Sequence, residues 1–228
     1  CTLDCPYEAI SMSARPEGAR RIAGAERGHV GAPAQHPERY AVVTPELCVS
    51  CGICSASCAP MAVGPPGRTG RDELAELRAF VAAHPLLVGS AVVAACRCAA
   101  GRRAAKPDLA GAPLVAFSCV GNLHTSAIEL LLRAGASGVL IWSCPPRDCW
   151  FREGPRWLEE RLHRGREAEL RESIDRRRVR TVYAGEAESA LVTRELAAFR
   201  RDVAALTRPR GEPEIDLAAE CEREEATA

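Results

Sequence analysis

The distribution of cysteines constrains this chain more than any other feature. Twelve cysteines occur among 228 residues, and most of them fall in tight local groups. Cysteines two or three residues apart rarely pair with each other, because a disulfide needs suitably opposed Cβ vectors. Disulfide scaffolds are also short, secreted, loop-rich chains. The grouping therefore favours metal or cluster ligation in a reducing compartment, and predicts a cytoplasmic protein.

The most specific group is a run near the N-terminus. Cys48, Cys51 and Cys54 are separated by two residues each, and Cys58 follows after three. This C-x2-C-x2-C-x3-C run is the bacterial 4Fe–4S ferredoxin pattern. A structural zinc site typically uses two separated cysteine pairs, so the run fits zinc poorly.

An internal repeat extends this pattern to the start of the chain. Residues 1–10 and 54–63 share the frame Cys-x-x-x-Cys-x-x-x-Ala-(Ile/Val). In two-cluster ferredoxins the fourth cysteine of each run binds the other cluster. The repeat therefore predicts one complete 4Fe–4S site, formed by Cys5, Cys48, Cys51 and Cys54. It also predicts a partial second 4Fe–4S site, with Cys1 and Cys58 as two ligands and the other two upstream of the sequence.

Residues 1–64 as a whole resemble a two-cluster, ferredoxin-like α+β 2×(4Fe–4S) domain that lacks its N-terminal part. A long insertion at about residues 14–39, rich in Gly, Ala, Pro and Arg, interrupts the resemblance.

The rest of the chain alternates between strand and helix patterns. Apolar, β-branched runs predict strands at 90–95, 113–117, 138–142 and 179–183. Apolar periodicity predicts helices at 72–83, 123–133, roughly 156–177, and 186–206. This order predicts a small α/β domain with an open, mostly parallel four-stranded sheet. The expected boundaries are a linker and short helix at 65–85, the α/β domain at 86–208, and a disordered acidic tail at 209–228.

Three of the predicted strands end on or next to a cysteine: Cys96, Cys119 and Cys144. Ligands of open parallel sheets bind at the carboxyl ends of the strands, so these thiols should converge. Cys98 and Cys149 follow in loops, and two prolines stiffen the second loop. Five thiols are one more than a 2Fe–2S or 4Fe–4S cluster needs. A redox-active dithiol at Cys96 and Cys98, next to the Arg97 cation, is an alternative, and so is plain burial of cysteine in a core.

Several short segments of this region resemble the delta (iron–sulfur) subunit of methyl-viologen-reducing hydrogenases. The segments that carry the resemblance are Phe117-Ser-Cys119, residues 134–140, Ser143-Cys144, Asp148-Cys149-Trp150 and Ser189-Ala190. That domain is often fused to the A subunit of heterodisulfide reductase. A ferredoxin followed by such a domain also resembles the C-terminal part of quinone-interacting oxidoreductase subunits.

The resemblance implies a 2Fe–2S cluster with Cys119, Cys144 and Cys149 as matched ligands. The family's usual Cys-x-x-Cys pair is here Cys96-Arg-Cys98, so either of these two could be the fourth ligand. The residues after Cys119 and before Cys144 also depart from the family pattern. The partner protein or the reduction potential of the cluster could therefore differ from that of the hydrogenase subunit.

The expected function is therefore electron transfer between 4Fe–4S clusters and a 2Fe–2S cluster, as a component of an oxidoreductase complex and without catalytic residues of its own. Partners would be subunits of a heterodisulfide reductase-like, hydrogenase-like, formate dehydrogenase-like or quinone-linked complex, with peripheral membrane association through them as one option. The alternatives are a thiol or persulfide redox domain that uses Cys96 and Cys98, and a docking module with structural zinc.

Other partners and cofactors are disfavoured. Thirty basic residues balance thirty acidic ones, so nucleic acid is not an expected ligand. No apolar run approaches the ~20 residues of a membrane-spanning helix. The glycines form no dinucleotide fingerprint, so neither NAD nor flavin is expected.

Overall fold

The computed structural model describes residues 2–14, 39–65, 68–84, 90–100 and 108–206. Within these ranges the largest element is a four-stranded sheet in the spatial order β4-β3-β5-β6. Its strands are β3 (Ala91–Cys96), β4 (Leu114–Phe117), β5 (Gly138–Ser143) and β6 (Val179–Tyr183). All three neighbouring pairs are parallel. The prediction of a small α/β domain with an open parallel sheet is confirmed.

The core of the molecule is centred on the two inner strands. Every residue of β3 and β5 is buried, because these strands have a neighbour on both sides and helices against the sheet. The helices are α2 (Gly70–Ala83), α3 (Thr125–Arg133), α4 (Gly154–His163) and α5 (Ser189–Ala204). Such fully apolar strands are typical of parallel sheets that are covered by helices.

Helix α2 begins two residues earlier than the sequence pattern predicts. Thr69 is its N-cap, and a reciprocal capping box with Asp72 sets the start: the Thr69 N–H donates to Asp72 Oδ2 at 2.8 Å, and the Asp72 N–H donates back to Thr69 Oγ1 at 3.3 Å. Leu77 and Val81 are buried in the main core, as the predicted apolar face requires.

Helix α4 is much shorter than predicted. The pattern indicated a helix from Arg156 to Arg177, but α4 ends at His163. The chain then turns through Gly165, whose positive φ of 65° glycine adopts without strain. The basic stretch at residues 171–180 therefore lies beyond this helix. Arg178 in it is buried and donates to the carbonyls of Ala136 and Ser137.

The N-terminal part consists of small elements. β1 (Ile10–Ala14) pairs antiparallel with β2 (Arg39–Val43), and α1 (Ile53–Ala56) follows. The loop before α1 contains two residues with positive φ, Ser50 and Gly52. These elements neither establish nor exclude the predicted ferredoxin-type module, which stays a prediction. Most of the predicted insertion and the whole acidic tail lie outside the described residues. Among the helices of the described ranges, none is long and apolar enough to cross a membrane.

Candidate metal centres

The strand-end cysteines meet at one edge of the parallel sheet. Cys96 is the last residue of β3, Cys119 comes two residues after β4, and Cys144 directly follows β5. Because β3 lies between β4 and β5, its carboxyl end brings all three thiols together. The Sγ atoms of Cys96, Cys98 and Cys144 all lie within 4.8 Å of one another.

The two loop cysteines complete a compact group of five thiols, here called the sheet-edge site. Cys98 Sγ lies 2.8 Å from Cys96 Sγ and 3.9 Å from Cys144 Sγ. Cys149 interacts with the thiols of Cys119 and Cys144, and Cys119 interacts in turn with Cys96. The thiols therefore form a closed ring in the order Cys96, Cys119, Cys149 and Cys144. Cys98 lies next to the contact between Cys96 and Cys144.

Hydrogen bonds within this ring lower the pKa of two thiols and raise the pKa of two others. Bonds from Cys119, Cys144 and Cys98 lower the pKa of Cys96. Bonds from Cys119 and Cys144 lower the pKa of Cys149 to about 3. The donors, Cys119 and Cys144, have raised pKa values for the same reason. Loading a metal would release the protons that the ring holds, since thiolate is the ligating form.

Four of the N-terminal cysteines surround a separate cavity, here called the N-terminal site. The cavity measures about 370 Å³ and is mainly apolar. Its wall includes Cys5, Cys48, Cys51 and Cys54. Burial raises the pKa of Cys54 to about 11, and the charges of neighbouring cysteines add to that rise. These are the four cysteines that the repeat assigns to one cluster.

One further predicted ligand, Cys58, joins neither group within the described residues. Cys58 is half-buried and does not line the N-terminal cavity. Its backbone faces His124. His124 is the N-cap of α3, where Nδ1 accepts from the Ser126 N–H at 3.0 Å, and it is buried. Cys1 lies outside the described residues, and so does Cys221.

The two sites pack against each other through the turn at residues 120–122. A Cβ on Gly121 would come within 2.9 Å of Ile53 Cγ1, and one on Gly52 within 2.9 Å of Asn122 Nδ2. Behind these glycines, Cys51 and Ile53 form a buried cluster with Trp157 of α4. A side chain larger than that of glycine would not fit at either position. The N-terminal site and the sheet-edge site are therefore neighbours.

Tyr7 is the clearest sign of this proximity. Burial raises its pKa, and the charges of Cys51, Cys149 and Cys119 raise it further. The phenol therefore lies within electrostatic reach of both sites. Trp157 is buried beside Cys51, whereas Trp150 is 74% exposed. Of these two tryptophans, only Trp157 is placed to exclude water.

Sequence reasoning missed Arg161, Asn122 and Gly154, which touch or support the sheet-edge site. Gly154 lies directly against Cys119 Sγ. Asn122 accepts the Cys119 N–H through Oδ1 at 3.4 Å. Arg161 is fully buried behind the same turn. A Gly-Pro pair at the start of α4 was the one local signal, because it marks a helix start where a close approach is possible.

A family model matches the second half of the chain. Residues 92–207, just over half of the chain, match the family model of the methyl-viologen-reducing hydrogenase delta subunit. No curated protein is significantly similar to the chain. The matched range contains the whole parallel sheet except the first residue of β3, and all five thiols of the sheet-edge site. The chain therefore belongs to the family of methyl-viologen-reducing hydrogenase delta subunits.

Proposed function

We propose that this chain is an electron-transfer component of an oxidoreductase complex, and that it relays electrons between a 4Fe–4S cluster in the N-terminal site and a 2Fe–2S cluster in the sheet-edge site. The observation that carries the proposal is the packing of a four-cysteine cavity against the turn at residues 120–122, which directly follows Cys119 of the thiol ring. Membership of the delta-subunit family supports a role within a redox complex.

At the sheet-edge site we propose Cys96, Cys119, Cys144 and Cys149 as the ligands, because these four form the closed ring. Cys96 has no exposed surface, whereas Cys98 is only half-buried and lies at the margin. Cys98→Ser should then leave the sheet-edge cluster in place, and Cys96→Ser should remove it.

The protein's own contribution would be burial, spacing and exclusion of water. The clusters would supply one-electron carriers, whose potentials depend on charge, hydrogen bonds to sulfur and solvent exposure. Tyr7 and Trp157 pack with Ile53, which meets Gly121 in the turn after Cys119, so an electron would pass through packed protein and not through water. Cys58, with Cys1, would hold a further 4Fe–4S cluster together with ligands that are not in this sequence.

The partners would be other subunits of a complex of the heterodisulfide reductase, hydrogenase, formate dehydrogenase or quinone-linked type. The family match favours a hydrogenase-type complex over the others.

Iron and sulfide analysis with EPR spectroscopy of anaerobically purified protein tests this proposal. Dithionite-reduced protein should show a 4Fe–4S signal and a 2Fe–2S signal. Cys51→Ser should abolish the first signal alone, and Cys149→Ser the second alone. Stoichiometric zinc without iron would refute the proposal and support a structural docking module.

A second candidate is a thiol or persulfide redox function for Cys96 and Cys98. It is favoured by the 2.8 Å approach of their Sγ atoms. Alkylation after oxidation and after reduction, followed by mass spectrometry, separates the two functions. A reversible Cys96–Cys98 disulfide in protein that contains no sheet-edge iron would support this candidate over the relay.

A further inference from the structure

A fully buried arginine lies between the two thiol sites. Arg161 of α4 has no exposed surface, and its Nη2 donates to the Gly121 carbonyl at 2.6 Å. Its Nε and Nη1 groups find no hydrogen-bond partner among the described residues. A buried charge in this condition is strongly unfavourable unless a negative group compensates it. The chain therefore retains this guanidinium at a considerable cost in free energy.

The guanidinium is one peptide unit away from the sheet-edge thiols. It bonds to the Gly121 carbonyl, and the Gly121 N–H donates to Cys119 Sγ at 3.4 Å. Burial lowers the pKa of Arg161 to about 10, while the charges of Asp4 and Cys119 oppose that fall. Arg161 is accordingly a cation at neutral pH, and it interacts electrostatically with Cys119.

No carboxylate bonds directly to this cation among the described residues. The charge of the buried Asp4 acts on Arg161, but Asp4 forms its ion pair with Arg166, and Arg166 also pairs with Glu160 at 2.9 Å. Burial and the charge of Arg161 lower the pKa of His124 to about 4, so that imidazole is neutral. The named charges sum to zero, and Arg161 is the one among them that is linked to Cys119 through the Gly121 peptide.

We infer that Arg161 is the fixed positive charge that stabilises the reduced state of the sheet-edge cluster and thereby raises its reduction potential. The inference rests on the proposed function. On reduction, one electron would leave the 4Fe–4S cluster and reduce one ferric ion of the 2Fe–2S cluster, with no bond made or broken. The thiol ring would then hold one more negative charge next to the guanidinium. Because both charges are buried, solvent and salt would screen their attraction weakly.

EPR-monitored redox titration of the full, iron-loaded chain tests this role. Arg161→Gln retains an N–H donor for the Gly121 carbonyl but removes the charge, so the midpoint potential of the 2Fe–2S signal should become more negative. Arg161→Lys retains the charge and should titrate close to wild type. Arg164→Gln, an exposed arginine on the next turn, is the matched control and should leave the potential unchanged.

Salt dependence separates a buried charge from a surface charge. In about 1 M salt, where the Debye length is about 3 Å, the difference between wild type and Arg161→Gln should persist. An unchanged midpoint in Arg161→Gln, or a fall of the same size in Arg161→Lys, would overturn the inference. Loss of the sheet-edge cluster from both variants would assign Arg161 a structural role and overturn it too. If wild type itself contains no iron, the proposed function fails as well, and the two failures are thereby distinguished.

Discussion

The N-terminal site and the sheet-edge site hold cysteines in opposite ways. In the N-terminal site three of the four thiols are partly exposed and line a cavity of about 370 Å³. In the sheet-edge site the thiols come from strand ends and adjacent loops, and they touch one another. One site is built by a loop that wraps around a space, and the other by a sheet that brings distant residues together.

The two regions also differ in the core that supports them. The cluster around the N-terminal site contains three buried hydrophobic residues, Cys51, Ile53 and Trp157, and one of these belongs to α4. The sheet-edge site lies on the large core of the parallel sheet. The N-terminal site should therefore depend on its metal for structure, whereas the sheet-edge site should have a scaffold that folds without metal.

The largest expected effect of this difference appears when iron is removed. After anaerobic chelation, amides of residues 5–14 and 39–58 should lose protection from hydrogen exchange, because little apolar burial holds them. Amides of β3 and β5 should remain protected by ~100-fold more. Hydrogen-exchange mass spectrometry before and after chelation measures both. Equal loss of protection in the two regions would contradict the comparison.

The next largest effect is expected from a single added methyl group, which should disturb the sheet-edge site and leave the N-terminal site intact. A Cβ added at Gly154 would overlap Cys119 Sγ, and such overpacking costs about 1–3 kcal/mol. Gly154→Ala should therefore lose sheet-edge iron and retain the 4Fe–4S signal, as measured by iron content and EPR. Gly185→Ala is the control, because its Cβ would meet Glu188 Oε2 at an ordinary 3.6 Å. Retention of both signals in Gly154→Ala would show that Cys119 can move without loss of the cluster.

A smaller effect is expected at Glu73, which contacts Asn122 in the turn between the two sites. Its Oε1 accepts from Asn122 Nδ2 at 2.7 Å. Burial, followed by the charge of Glu76, raises the pKa of Glu73 to about 8 from an ordinary value of 4.5. The folded state then binds a proton that the unfolded state releases, so this contribution to stability is complete below pH 4.5 and is lost as pH rises to 8.

Thermal unfolding midpoints across that pH range test the linkage. Glu73→Gln should flatten the fall of the midpoint with rising pH, since a neutral amide cannot ionise. Glu186→Gln, at an exposed position, should retain the wild-type slope. A Glu73→Gln protein with the slope of wild type would place the responsible proton elsewhere.

The sequence could predict the sheet-edge group because a rule of topology links local pattern to position. Three apolar runs that end on cysteines need only be parallel neighbours for the thiols to meet, and the structure has them so. Their function as ligands stays a prediction. Local spacing could not choose between Cys96 and Cys98. That choice depends on the ring formed with Cys119, Cys144 and Cys149, which is a tertiary arrangement.

The errors arose where tertiary contacts override a local pattern. The run around Arg161 is dense in arginine and glutamate, a pattern typical of a solvated helix face. The packing of α4 on the turn at 120–122 instead buries Arg161 completely. The same run suggested a helix that continues to Arg177, because a charged helical pattern does not reveal that the chain turns at Gly165.

The two proposed clusters would lie close enough in one chain to exchange an electron. The most direct measurement is the EPR spectrum of fully reduced wild-type protein, compared with the sum of the spectra of Cys51→Ser and Cys149→Ser. Neighbouring paramagnetic centres broaden each other's signals. The account therefore predicts a wild-type spectrum broader than that sum. A wild-type spectrum equal to the sum would contradict the proximity of the two sites.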